Sequence, residues 1–243
     1  MNKITDLGMY DEFREYAMKH MGISSMQLHY WDKLQESLYS NATVIGSMTP
    51  MILEEREMRL TQMSVFDSLM MDRIIWLAGP VNDRMSTVVQ AQLMFLDNLE
   101  VKDITLHIDS PGGSVKSGLS IVDVMDYVSS DIVTINTGMA ASMGSILLGA
   151  GTKGKRFSLR FSKVMLHQVS SGAQGTLADI QISLKEAEKY NDILFGLLGK
   201  YCDKTPEQVK LDANRDFWLT SEEAKAYGII DEIIVNKLKK GKK

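Results

Sequence analysis

Two short stretches of this 243-residue sequence carry residues whose types and spacing could do chemistry. In Gly138-Met139-Ala140-Ala141-Ser142-Met143-Gly144-Ser145 a serine stands among small residues where a strand gives way to a helix. The free N–H groups of a helix start and the lack of bulk suit a nucleophile elbow, through which a substrate backbone can approach closely. The same string also reads as a close-packed helix start, and Ser142 and Ser145 compete for the role of nucleophile. In Ser110-Pro111-Gly112-Gly113, a rigid proline before two glycines leaves backbone N–H groups able to face a carbonyl oxygen, as an oxyanion hole requires. Alone, that tetrapeptide is an ordinary strand-ending turn.

A serine hydroxyl needs a base to become a nucleophile at neutral pH. Of the four histidines, His20 and His29 lie in a front segment of different character, and His107 alternates with Leu106 and Ile108 on a strand. His167 closes the apolar run Val164-Met165-Leu166, at a strand end where the active-site residues of α/β sheets gather. Elimination therefore favours His167 as base, against the alternative of a hydrogen-bonded histidine at a strand edge. A third group must orient its ring. Asp179, Asp212 and Asp216 are all candidates, and spacing does not choose among them.

The elements that must position these groups follow from periodicity. Ile74 to Leu77 predicts a strand closed by Gly79-Pro80, and Met85, Val89, Leu93 and Leu96 predict a helix capped by Asn82. Ile104 to Ile108 predicts a strand, and Ile121, Val122, Met125 and Val128 the helical face that follows the Ser110–Gly113 break. A third unit runs from Ile132–Ile135 into the Ser142 stretch, and short strands are expected at Arg156–Leu159 and Val164–Gln168. A long helix after Gly175 places Leu177, Ile180, Leu184, Ala187, Leu194 and Leu198 near one face. Thr205-Pro206-Glu207-Gln208 and Thr220-Ser221-Glu222-Glu223 have the form of capping boxes. Strands alternating with helices predict an α/β domain with parallel strands.

Composition narrows the function classes. The chain is 44% hydrophobic and 24% charged, as one sizeable core demands. Its net charge is −4, and with five lysines in the last seven positions the remainder carries −9, so no basic face for nucleic acid is expected. A lone Cys202 excludes an internal disulfide or a multi-cysteine metal site and suits a reducing compartment. With no apolar run of about 18 residues, neither a membrane span nor membrane binding is expected, and the cytoplasm is the expected location.

Taken in order, Ser110-Pro111-Gly112-Gly113, Gly138 to Gly144, Gly154-Lys155-Arg156, Val164-Met165-Leu166-His167-Gln168, Gly172-Ala173-Gln174-Gly175 and Tyr227-Gly228-Ile229-Ile230-Asp231 strongly resemble the Clp protease proteolytic subunit family, ClpP, over residues 48 to 235. The resemblance implies an α/β fold of ClpP/crotonase type, built of repeated β-β-α units with a protruding handle helix at about residues 169–200. It implies an N-terminal extension or propeptide over 1–47, an axial pore segment and first helix over 48–72, a serine protease domain over 73–235 and a basic tail over 236–243.

By the same resemblance Ser142 is the nucleophile, His167 the general base and Asp216, just upstream of Phe217-Trp218-Leu219-Thr220, the orienting acid; backbone N–H groups of Gly113 and Met143 form the oxyanion hole. The implied activity is endopeptidase action on unfolded polypeptides inside two stacked heptameric rings of self-copies. A hexameric AAA+ unfoldase of the ClpX, ClpA or ClpC type would dock at positions matched by His107 and Tyr127. ATP would belong to that partner; no metal or cofactor is implied for this chain, which has no P-loop.

The sequence departs from the family pattern at Arg160-Phe161, where Pro-Asn is usual, at Val169, where Pro is usual, and at Ser170-Ser171. Two other readings compete: a noncatalytic ring subunit, which the intact Ser142, His167 and Asp216 oppose, and crotonase-type acyl-CoA chemistry, which has no use for those three residues.

Overall fold

The computed structural model describes residues 51–56, 59–172 and 174–235. The extension expected over 1–47 and the basic tail over 236–243 lie outside these residues. The chain divides into two compact units at Val65/Phe66. In the first, β1 (Met51–Arg56) and β2 (Arg59–Ser64) pair as an antiparallel hairpin, from Met51 opposite Ser64 to Arg56 opposite Arg59.

After α1 (Val65–Met71) the second unit alternates strands and helices: β3 (Ile74–Ala78), α2 (Asp83–Leu99), β4 (Ile104–Ser110), α3 (Val115–Tyr127), β5 (Ile132–Ala141) and α4 (Met143–Gly149). β6 (Arg156–Leu159) and β7 (Lys163–Leu166) follow, then α5 (Leu177–Cys202), α6 (Pro206–Asp212), β8 (Phe217–Thr220), α7 (Ser221–Tyr227) and β9 (Glu232–Ile234). The sheet order is β3-β4-β5-β6-β9, all parallel, with β7 also parallel to β5 and β8 antiparallel to β7. The α/β expectation holds.

The apolar periodicity explains the packing. Val89, Leu93 and Leu96 of α2 and Ile121, Val122 and Met125 of α3 are buried with Ile75, Leu77, Leu106 and Ile108 of the sheet, a continuous core whose burial drives folding. Asn82 caps α2 as expected, its side chain accepting from Met85 N–H at 2.9 Å.

Two expectations are corrected. Thr205 accepts from Gln208 N–H at 3.2 Å, but the Gln208 side chain donates to Asp212 at 2.8 Å, one turn on, so only half of that capping box forms. The Thr220–Glu223 box is complete. On α5 the predicted apolar face splits: Leu194 and Leu198 are buried, with Phe195 and Cys202, while Leu177, Ile180 and Leu184 are exposed, because only the last turns of the helix lie against the core.

One irregularity shapes the site. Residues Thr134 to Asn136 of β5 pair with β6, but Met139 to Ala141 pair with β7. Between these halves the register against β4 slips, from Ile108 opposite Asn136 to Ser110 opposite Ala140. Asp109 Oδ1 accepts from Met139 N–H at 3.0 Å across the slip, and a Cβ at Gly138 would stand 2.6 Å from that oxygen. Glycine at 138 therefore leaves room for the Asp109 carboxylate where β5 changes partners.

Candidate active site

β5 ends at Ala141 and α4 starts at Met143, so Ser142 is the single residue between strand and helix. Its φ of 53° and ψ of −121° lie where side-chain-bearing residues are sparse, a strain of roughly 1–3 kcal/mol. Hydrogen bonds hold it there. Ser142 N–H donates to Met165 O at 2.9 Å, and its carbonyl accepts from Ser145 N–H at 3.0 Å and from the Ser145 hydroxyl at 2.6 Å. The Ser142 side chain makes no capping bond to α4; its Oγ lies 2.7 Å from His167 Nε2. The two serines that competed in the sequence are thus distinguished: one faces the imidazole, and the other donates to backbone.

The fork in β5 produces this meeting. β7 runs beside the second half of β5, with Met165 opposite Ala141, so the residues beyond both strand ends come together. β8 runs antiparallel to β7 with Leu166 opposite Phe217, and the next pair in that register is His167 and Asp216. Asp216 Oδ1 stands 3.4 Å from His167 Nδ1. The Asp216 side chain is 63% exposed, against 24% for His167.

The other two acids are occupied elsewhere. Asp179 closes a capping box with Thr176, whose hydroxyl and N–H hold its carboxyl below the usual range. Asp212 accepts from the Tyr227 hydroxyl at 3.0 Å and from Gln208.

The turn after β4 closes the site from the other side. Gly112 and Gly113 have φ of 90° and 147°, a region that favours glycine. A Cβ at Gly112 would stand 2.6 Å from Ser142 Cβ and 2.7 Å from Ala141 O; one at Gly113 would run into Val81 O. Val81 N–H donates to Gly112 O and Ser114 N–H to Val81 O, both at 2.8 Å, which pins the turn. Among the described residues the N–H groups of Gly113 and Met143 take no internal partner, and both residues line one cavity with Ser142 and His167. That cavity, of about 230 Å³, is walled by the apolar side chains of Val115, Ile146, Leu194 and Leu198. None of these four was singled out for the site from the sequence, although Leu194 and Leu198 stood on the predicted apolar face.

A family model described as Clp protease matches residues 55–237. The chain belongs to the Clp protease family. Its similarity to individual Clp proteolytic subunits extends over more of the chain. It is 46% identical over 228 residues to an ATP-dependent Clp protease proteolytic subunit of Bacteroides fragilis strain YCH46, covering 93% of this chain and 100% of the relative. The same figures hold for the protein of that name from Bacteroides thetaiotaomicron. The one from Porphyromonas gingivalis is 44% identical over 225 residues, 92% of this chain and 97% of the relative.

Two Clp protease motifs prove to be framework. Arg156 is buried, its guanidinium holding Asp231 at 2.6 Å and 3.0 Å and donating to Tyr201 O at 2.8 Å, while Gly154 N–H also donates to Asp231. Burial by itself raises the Asp231 carboxyl, but the Arg156 bonds outweigh it and hold the group below the ordinary carboxylate range. The pair joins β6, the end of α5 and the turn before β9.

Of the departures, Val169 and Ser170 line the cavity beside Ser142 and His167. The Arg160 guanidinium lies 5.2 Å from the centre of the exposed Phe161 ring, on the turn between β6 and β7. Val169 supplies an N–H that proline lacks, and it donates to Asn191 Oδ1 of α5 at 3.0 Å. Of the expected docking positions, His107 stacks on Trp76, with ring centres 4.7 Å apart. Tyr127 is exposed at the end of α3 beside a groove lined by Met94, Asp97 and Asn98, which does not include His107. Among the described residues no helix is long and apolar enough to cross a membrane, and no three His, Cys, Asp or Glu side chains are placed to hold a metal.

Proposed function

We propose that Ser142, His167 and Asp216 perform the peptide hydrolysis of this Clp protease family member, a serine endopeptidase. The observation that carries the assignment is the 2.7 Å contact of Ser142 Oγ with His167 Nε2. His167 Nε2 takes the Ser142 proton as Oγ bonds to the scissile carbonyl carbon, and the carbonyl electron pair moves onto oxygen. The N–H groups of Gly113 and Met143 stabilise that oxyanion. Collapse breaks the C–N bond, and His167 returns the proton to the leaving amine. Water, deprotonated by His167, then releases the acyl group. Asp216 holds the ring with its proton on Nδ1 and offsets the charge of the imidazolium. The apolar cavity accepts an apolar side chain beside the scissile bond.

That the relatives are ATP-dependent Clp protease proteolytic subunits supports an ATP-hydrolysing partner. The reading is a hexameric AAA+ unfoldase of the ClpX, ClpA or ClpC type that docks near His107 and Tyr127 and feeds unfolded polypeptide to the site. The chain itself carries no cofactor or metal, stacks as two heptameric rings and works in the cytoplasm. The exposed apolar residues of α5, Leu177, Ile182 and Leu184, support self-assembly, since such surface is rarely left to water.

The test is a fluorophosphonate probe with a fluorogenic peptide. Wild type should label at Ser142 and cleave, and Ser142→Ala should do neither. Labelling that survives Ser142→Ala would overturn the assignment. Native mass with and without unfoldase tests the assembly, and a protein that stays monomeric would contradict it.

A further inference from the structure

A serine at the start of a helix ordinarily turns its hydroxyl inward, to accept from the N–H three residues on. Ser142 does not, because its Oγ faces His167. The start of α4 is held in reverse: Ser145, three residues on, gives both its N–H and its hydroxyl to the Ser142 carbonyl, at 3.0 Å and 2.6 Å. Ser145 is 1% exposed, so neither bond competes with bulk water. With Ser142 N–H on Met165 O, both peptide groups of the strained residue are fixed, and with them the direction of its Cα–Cβ bond.

We propose that Ser145 is a positioning residue for the nucleophile: by anchoring the Ser142 carbonyl it holds the positive-φ turn and aims Oγ at the imidazole and the incoming carbonyl. An alanine there keeps the N–H bond and loses the hydroxyl. The Ser142 peptide could then rotate toward an ordinary helix start, with Oγ drawn to cap α4. The inference rests on Ser142 being the nucleophile.

The experiment measures, on the full-length protein, the second-order rate of fluorophosphonate labelling and the kcat and KM of a fluorogenic peptide, for wild type, Ser145→Ala, Ser145→Cys and Ser142→Ala, with thermal unfolding of each. Ser145→Ala adds no bulk and suits a helix. Its labelling rate and kcat should fall about tenfold with KM unchanged, within the roughly hundredfold that a 1 Å misplacement costs. Ser145→Cys, with a weaker donor, should fall between wild type and Ser145→Ala. Wild-type labelling and turnover in Ser145→Ala, or a cysteine variant as slow as the alanine variant, would overturn the inference, as would a loss carried by KM alone. A shift in unfolding temperature with unchanged labelling would make Ser145 merely structural. If Ser142→Ala still labels, the assignment of the nucleophile fails instead, whatever Ser145 does.

Discussion

The two ends of the proposed Ser142–His167–Asp216 relay are built differently. At the serine end everything is backbone and core: Ser142 is bonded through both its peptide groups, Gly112 presses against it and its two neighbours, and the contact to His167 is 2.7 Å. At the acid end Asp216 is mostly exposed, and its contact to His167 is 3.4 Å, beyond the usual hydrogen-bond range of about 2.7–3.2 Å. The difference teaches that folding alone brings the proposed nucleophile and base into contact, whereas the proposed acid is left largely in water, with a contact that is expected to shorten once substrate excludes water.

The largest effect should come at the shared centre. His167→Ala should lower peptide kcat by roughly 10⁶-fold, and Asp216→Asn by about 10⁴-fold, as expected of the member that orients and does not transfer the proton. Equal losses in the two variants, measured on one peptide, would break the comparison. Gly112→Ala puts a methyl where Ser142 Cβ and Ala141 O stand, and should cost about 10²-fold in kcat while secondary structure by circular dichroism is retained.

Weaker effects lie in the framework. Asp231 is held below the ordinary range in the folded chain, so its pairing with Arg156 contributes stability above an unfolded value of about 3.9 and loses it as pH falls through the folded value. Denaturant midpoints between neutral and acid pH should therefore drop, and the drop should be shallower in Asp231→Asn. Smallest of all is a null in chemistry: burial pushes the Cys202 thiol up to about 12, so iodoacetamide should leave it unmodified in the native protein and modify it after denaturation.

What the sequence disclosed was whatever a single element encodes. The Ser142 elbow, the glycine turn and the periodicity of α2 are local patterns, and the structure repeats them. The proposed acid was not local: spacing left Asp179, Asp212 and Asp216 open, only the family resemblance pointed to Asp216, and the antiparallel register of β7 and β8 is what brings it beside His167. The change of partner along β5 was likewise hidden, since Gly138 in a strand signals some irregularity but not which strand lies beyond it. The face of α5 read as uniform because an apolar stripe looks the same whether it meets its own core or another molecule.

Gly118, in the middle of α3, touches no group that acts on a peptide bond, yet a Cβ there would enter the space of Met143 Cγ, Sδ and Cε. Met143 is buried on the wall of the cavity beside Ser142, so making room at position 118 would push its side chain toward that cavity and disturb the peptide N–H proposed to meet the oxyanion. A random-mutagenesis screen for lost proteolysis should therefore return position 118 among its hits, and a surveyor sorting those hits by distance to the serine would misfile it as a folding defect.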